Sequence, residues 1–367
     1  MGKAHSTLTV ASIVGARPQF IKLAPVARAL DGSCRHIIIH SGQHYDYEMS
    51  EIFFAQLRIP RPDINLGVGS GTHGRQTGRI LEKCERALML HRPDMVLVYG
   101  DTNTTLAGAL ASAKLGIPVA HVEAGLRSFR RTMPEEINRT LADHVSDLLF
   151  YPTPTARKNL MNEGLRSGLV WSGDVMYEIL EECRPLLNRR QAVFTDLGIE
   201  QGEYLLITLH RAENTDDPER LERFVDLLAR ISRPKLFLAH PRTVKNLRRF
   251  GLHRKITAIS RLIVGRPQPY IETLTLISGA GAVMTDSGGI QKEAFYLRRP
   301  CLTLRPETEW VETVEAGANF LVDLSPEKIL RILRRLPTLR RRSTSVIRGK
   351  KPSAIIRAAI IDFLQKR

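Results

Sequence analysis

The stretch "MTDSGGIQKEA", residues 284–294, sets two glycines directly after a serine and then continues into a helix-compatible run. Glycine has no Cβ, so Gly288 and Gly289 present bare backbone N–H groups, and a helix starting at Ser287 aims its positive dipole end at the same point. Such a turn suits an anion, most often phosphate. The preceding "GAGAVMTD" is small and apolar over strand length, so the segment reads as strand, turn, helix within an α/β domain. The simpler reading makes Ser287 a helix N-cap and the glycines a tight turn.

The same alternation runs through the rest of the chain. "TVASIVG", "HIIIHSG", "DMVLVYGD", "PVAHVEAG" and "DLLFYPT" form one series of apolar strands separated by amphipathic helices. A second series, "YLLITLH", "KLFLAHP", "RLIVGRP", "AVMTDSGG" and "PCLTLRP", follows "WSGDVMYE". At 367 residues the chain exceeds one ordinary core. The expectation is an α/β protein of two doubly wound Rossmann-like domains, residues 1–171 and 172–352, facing each other across a cleft. "GSGTHG" at 69–74 imitates a dinucleotide fingerprint, but no convincing strand precedes it and Asp94 stands before the next strand rather than at its end. NAD is not expected there.

Composition narrows the classes. A hydrophobic content of 43% with 25% charged residues describes a soluble globular protein, and no apolar run reaches the ~20 residues of a membrane span. The opening residues read as a first buried strand rather than an export signal, and cytoplasmic residence is expected. Met1, Gly2 and Ser6 fit a loose myristoylation pattern, and Asn103 and Asn138 fit glycosylation acceptors, but patterns this short arise by chance. Cys34, Cys84, Cys183 and Cys301 form no C-x-x-C pair, which argues against a zinc module or a disulfide framework. The histidines never take H-x-x-x-H spacing, so no metal is expected. The net charge is +16, and residues 321–367 carry 13 basic against 3 acidic side chains. "RILRRLPTLRRRSTSVIRGKK" has no aromatic to stack on a base, so a solvated basic segment is preferred over a nucleic-acid site.

In doubly wound sheets the chemistry sits at the C-terminal ends of the strands. That rule gathers Arg17, Gln43, His44, Asp101, Glu123, His210, His240 and Asp286. Asp101 ends "VLVYGD", Glu123 ends "VAHVE", and Glu135 opens a helix after Pro134 in "MPEEINR". Carboxylates brought together raise one another's pKa, so that one serves as acid while another serves as base. Singly, Asp101 and Glu135 also read as helix N-terminal residues. His210 and Arg211 in "TLHRAENTDD" stand at a strand end, where a histidine can bridge a diphosphate or donate a proton. Arg17 and Lys22 in "GARPQFIK" put two cations on one helix entry, which suits a diphosphate.

Taken in order, "GARPQFIK", "SGQHYD", "GDTNTTLAGALAS", "HVEAGLRS", "PEEINR", "TLHRAENTD" and "TDSGGIQKEA" resemble the non-hydrolysing UDP-N-acetylglucosamine 2-epimerase family across nearly the whole chain. The resemblance implies a glycosyltransferase-B fold whose final helix, here 353–367, crosses back to the first domain. It also implies a homodimer, no cofactor, and inversion at C2 of a UDP-sugar through a 2-acetamidoglucal. By motif, Asp101, Glu123 and Glu135 are similar to the family's acid/base carboxylates and His210 to its diphosphate-side histidine. Arg17 and Lys22 resemble its phosphate and substrate ligands, and Gln43, Arg211 and His240 are taken as substrate-binding from their strand-end positions. Ser287, Gly288 and Gly289 resemble the diphosphate turn, Glu293 a ribose ligand and Gln268 a uracil contact. "PETEWVETVEAGAN" puts Trp310 where members acting on UDP-GlcNAc commonly carry arginine, and is more similar to members that epimerise UDP-2,3-diacetamido-2,3-dideoxyglucuronic acid. "QHYDYEMS" departs from the "QHREML" type of the allosterically activated members. A hydrolysing relative would keep the same site, and a glycosyltransferase of this fold would share "TDSGG" without needing the three carboxylates.

Overall fold

The computed structural model describes residues 8–43, 51–336 and 351–367. His44, the myristoylation pattern and most of the basic "RILRRLPTLRRRSTSVIRGKK" lie outside them. The chain forms two compact units, the first running to Glu181 and taking in the helix Pro352–Gln365, the second beginning at Glu182. The division falls inside the helix Val175–Leu187.

The first unit is built on seven parallel strands: β1 (Thr9–Val14), β2 (Arg35–His40), β3 (Ile64–Asn65), β4 (Met95–Tyr99), β5 (Val119–Val122), β6 (Leu148–Tyr151) and β7 (Leu169–Trp171). Their order is β3-β2-β1-β4-β5-β6-β7. The second unit has six: β8 (Leu205–Leu209), β9 (Lys235–Ala239), β10 (Leu262–Gly265), β11 (Ala282–Thr285), β12 (Cys301–Thr303) and β13 (Asn319–Leu321), in the order β10-β9-β8-β11-β12-β13. Each sheet therefore reverses its winding once, beside β1 and β4 in the first and beside β8 and β11 in the second, and those points are where doubly wound sheets bind ligands. Both are α/β units of the expected kind.

The central strands are largely apolar because helices cover both faces of a parallel sheet. Ile13, Ile37, Ile39, Val96 and Val98 fill one core of the first unit, and Leu205, Ile207, Phe224 and Phe237 that of the second. The helix Asn103–Lys114 is buried along most of its length, between the helices His73–His91 and Pro134–His144. Its small residues permit this: Gly108 lies against the Ile13 side chain, which a Cβ would meet at 3.1 Å. The helix Pro352–Gln365 packs on the helix Arg17–Leu30 and buries Ile356 and Ile360. Its start is fixed where the backbone N–H and hydroxyl of Ser353 both donate to Glu178, at 2.9 and 2.7 Å.

Gly125 follows β5 with φ +79°, and a Cβ there would stand 2.4 Å from the Ala156 carbonyl oxygen and 2.8 Å from the Leu160 side chain. Gly125→Ala is therefore expected to cost about 2 kcal/mol or more through backbone strain and overpacking together, read as a lowered denaturant midpoint.

Candidate active site

The first unit brings two carboxylates to adjacent strand ends and gives each a cation. Glu123, the residue after β5, has φ +75°, a left-handed backbone that a glutamate adopts only when its surroundings enforce it. Here the N–H groups of Glu123 and Ala124 both donate to the Phe150 carbonyl on β6, at 3.1 and 3.0 Å. Its carboxylate meets the Lys22 ammonium at 2.5 Å, and both side chains are less than a tenth exposed. Gly100 makes the room: a Cβ at that position would stand 2.6 Å from the Lys22 nitrogen. Lys22, expected on the diphosphate, thus directs its charge to Glu123.

Asp101, one residue past Gly100, pairs with the buried guanidinium of Arg139, which also contacts Glu136 at 3.4 Å. The Asn138 amide donates to the Asp101 carbonyl at 3.0 Å. Asn138 and Arg139 lie one turn beyond Glu135 on the helix Pro134–His144, so that helix carries Glu135 to the same strand end. Glu136 is engaged elsewhere, accepting from the N–H groups of Ser128 and Phe129 at 2.9 and 2.8 Å, while Glu135 is half-buried in the first turn. Asp101 and Glu123, expected to act on one another, are each paired with a cation, Arg139 and Lys22. Arg139 and Asn138 were within reach of the sequence, since both belong to "PEEINR", but only the fold joins them to Asp101.

Three further side chains flank this half. Gln19 accepts from the N–H groups of Gly15 and Ala16 at 2.8 and 3.0 Å, tightening the turn from β1 into the helix Arg17–Leu30. Arg17, at the head of that helix, stacks its guanidinium 4.8 Å from the Phe53 ring centre. Gln43, past β2, accepts from the Thr104 hydroxyl at 2.8 Å.

Beneath the carboxylates lies a buried cluster that sequence reasoning missed. Asp143 meets His121 at 2.6 Å, Arg127 at 2.7 Å and the Gly125 N–H at 3.1 Å. Burial alone would raise its carboxyl, but the charges and hydrogen bonds of His121 and Arg127 outweigh it and hold the group below its ordinary 3.8.

In the second unit Asp286, fully buried after β11, organises the strand end. Its carboxylate accepts from the N–H groups of His210 and Arg211 and from the Asn214 amide, and the Arg211 side chain donates to its carbonyl at 3.0 Å. The His210 ring remains 40% exposed, 6.1 Å between centres from that of His240. His240 caps the helix Pro241–Arg249, its Nδ1 accepting from the Arg242 N–H at 3.2 Å. Ser287 caps the helix Gly288–Tyr296, and its hydroxyl accepts from Ile290 N–H at 3.5 Å. The open side of Gly288 is bordered by Glu309 and by the Trp310 indole nitrogen, 3.7 and 3.9 Å from where a Cβ would stand. Lys292 sits 4.0 Å above the Trp310 ring, and fully buried Arg305 holds Glu309 at 2.9 Å. Glu293 is buried on the same helix. Gln268 follows β10 at the sheet edge, three strands from β11, with its amide on the Arg266 carbonyl at 3.1 Å. Among the described residues no three His, Cys, Asp or Glu side chains gather as a metal site, and no helix is long and apolar enough to cross a membrane.

Two doubly wound units, one with paired strand-end carboxylates and the other with a helix N-terminus open at Gly288, define an enzyme of glycosyltransferase-B-like fold. The profile of the UDP-N-acetylglucosamine 2-epimerase family matches residues 28–355. A UDP-N-acetylglucosamine 2-epimerase homolog of Methanococcus maripaludis is 52% identical over 88% of this chain and 91% of its own. The UDP-2,3-diacetamido-2,3-dideoxy-D-glucuronate 2-epimerase of Pseudomonas aeruginosa is 47% identical over 88% and 90%. The crystal structure of Methanocaldococcus jannaschii UDP-GlcNAc 2-epimerase in complex with UDP-GlcNAc and UDP superposes with a TM-score of 0.91 at 41% identity, covering 97% of this chain and all of that one. The chain belongs to the UDP-N-acetylglucosamine 2-epimerase family and is an isomerase.

Because Asp143 is held below 3.8 in the folded protein, its contribution to stability is complete above that pH and is lost as pH falls through the lowered value. Asp143→Asn should cost about 2 kcal/mol or more at neutral pH, by leaving Arg127 short of a buried partner. The gap to the unmodified protein should narrow as urea unfolding is repeated below about pH 4.

Proposed function

We propose that the protein interconverts UDP-GlcNAc and UDP-ManNAc by inverting C2 of the sugar. The observation that carries this reading is the pair of strand-end carboxylates, Glu123 against Lys22 and Asp101 against Arg139, with Glu135 on the adjoining helix. A carboxylate of this set takes the C2 proton; the C–H electrons form the C1=C2 bond, the C1–O bond breaks, and UDP departs with its electron pair, leaving 2-acetamidoglucal. The return step delivers a proton to the opposite face of C2 while the UDP oxygen re-forms its bond to C1. Deprotonation and reprotonation on opposite faces need separate groups, and Asp101, Glu123 and Glu135 supply them.

The diphosphate gains negative charge as it leaves. The N–H groups of Gly288 and Gly289, the helix dipole behind them, and the cations Arg17 and Arg211 suit that charge, with the His210 ring as a proton donor. Glu293 is suited to the ribose hydroxyls, and Gln43, His240 and Gln268 to the remaining polar groups of the UDP-sugar. Lys22 serves this scheme by holding Glu123 in place. The reaction as written transfers no hydride and so needs no nicotinamide. UDP-GlcNAc and UDP bound to the Methanocaldococcus jannaschii enzyme support the substrate class.

A second reading, epimerisation of UDP-2,3-diacetamido-2,3-dideoxyglucuronic acid, is favoured by Trp310 beside Gly288 and by the 47% identical Pseudomonas aeruginosa enzyme. The protein is read further as a cytoplasmic homodimer that supplies precursors of a cell-surface polysaccharide. Ile137 and Leu141, exposed one turn apart on the helix Pro134–His144, are apolar side chains that a second copy would cover.

Proton NMR in D2O with UDP-GlcNAc should show deuterium entering C2 and a UDP-ManNAc signal growing. Asp101→Asn should slow both by roughly 10²- to 10⁴-fold. Turnover of the diacetamido-glucuronate alone would move the assignment to that sugar, release of free ManNAc would make the enzyme hydrolysing, and silence with both sugars would overturn the epimerase reading.

A further inference from the structure

Gly100 solves one problem and creates another. Its missing side chain admits the Lys22 ammonium against Glu123, and its φ of +63° lies in the left-handed region that glycine favours. Glycine is also the least constrained residue in the chain, and it sits immediately before Asp101, whose carboxylate must be held in place. The Gly100 N–H is secured by the Val122 carbonyl at 3.0 Å. Its carbonyl is secured by a side chain from the neighbouring strand.

That side chain is His121, fully buried on β5. It stands in register with Val98 and reaches past it, placing Nε2 2.7 Å from the Gly100 carbonyl oxygen. The other ring nitrogen, Nδ1, meets Asp143 at 2.6 Å, and Asp143 is braced by Arg127 at 2.7 Å. A carbonyl can only accept, so Nε2 carries a hydrogen. Nδ1 is tied to the Asp143 carboxylate. The ring is fixed at both ends, and neither nitrogen faces the surface.

We propose that His121 is a positioning residue for the acid/base step: by donating to the Gly100 carbonyl it locks the peptide between Gly100 and Asp101, and so the placement of the Asp101 carboxylate. Asp143 and Arg127 orient the ring for this purpose. The proposal rests on the role given to Asp101 above, and it differs from a packing role because it assigns the effect to one of the two ring nitrogens.

Two isosteric replacements separate the nitrogens. In His121→Asn the amide can occupy the Nδ1 position and keep the bond to Asp143, while the bond to Gly100 is lost. In His121→Gln the amide reaches the Nε2 position, keeping Gly100 and releasing Asp143. Steady-state kcat and KM with UDP-GlcNAc, or with the diacetamido-glucuronate if that is the sugar turned over, are read beside thermal midpoints and UDP affinity; the affinity reports on the second unit and should not change. The expected result is a kcat lower by on the order of 10- to 100-fold in His121→Asn with KM little changed, and substantial recovery of kcat in His121→Gln despite a lower thermal midpoint. Wild-type kcat in His121→Asn, or kcat following thermal midpoint in both variants, would overturn the proposal. If His121→Asn does not fold, His121→Gln decides alone: near-wild-type kcat supports the assignment and a large loss defeats it. If the unmodified protein exchanges no C2 proton in either sugar, the failure belongs to the epimerase reading instead.

Discussion

A carboxylate kept from water at the end of a strand must have its charge answered within hydrogen-bonding distance. The Lys22–Glu123 contact meets that demand, and much of the first unit follows from it. The lysine has to arrive from the helix that leaves β1, the neighbouring strand has to end in a residue without a side chain, and the glutamate has to hold a left-handed backbone. Each condition falls on a different stretch of chain, at Lys22, Gly100 and Glu123. The parallel sheet joins them, because β1, β4 and β5 are adjacent and end on the same side.

The second unit uses its buried acid differently. Asp286 occupies the corresponding end of β11, but its oxygens are taken up by backbone and amide N–H groups rather than by a lysine. A bare carboxylate beside a helix N-terminus would oppose any anion drawn there. With several donors pointed at it, its charge is spread into the loop it anchors, and it draws His210 and Arg211 to the strand end next to Ser287. One unit thus uses buried charge to set carboxylates in place, and the other uses it to shape a loop around a helix N-terminus.

Ten strands were legible as apolar runs bounded by turn residues. β3, β7 and β13, two or three residues each at or near the sheet margins, offered no pattern long enough to read. Strand-end residues were legible for the same reason the strands were: a polar group directly after a buried run is conspicuous. Their partners were not. Lys22 lies 101 residues from Glu123 and Arg139 lies 38 from Asp101, and nothing local distinguishes either from a solvated surface cation. Lys22 reads as a phosphate ligand because it shares a helix entry with Arg17, and the fold pairs it with Glu123. His121 was hidden more deeply, since one polar residue within "PVAHVEAG" gives no hint that both its nitrogens are engaged.

The helix Pro352–Gln365 lies beyond the whole second unit in the chain yet packs on the helix that bears Arg17 and Lys22. On a ribosome, the second unit's strands and helices would emerge before this support exists. The second unit can therefore take shape while the helix that presents Lys22 still has Ile356 and Ile360 missing from its outer side. Order of synthesis and order of assembly run opposite ways here: the unit begun first is the one finished last, so a chain cut short or trimmed near its C-terminal helix keeps its second unit intact and weakens its first.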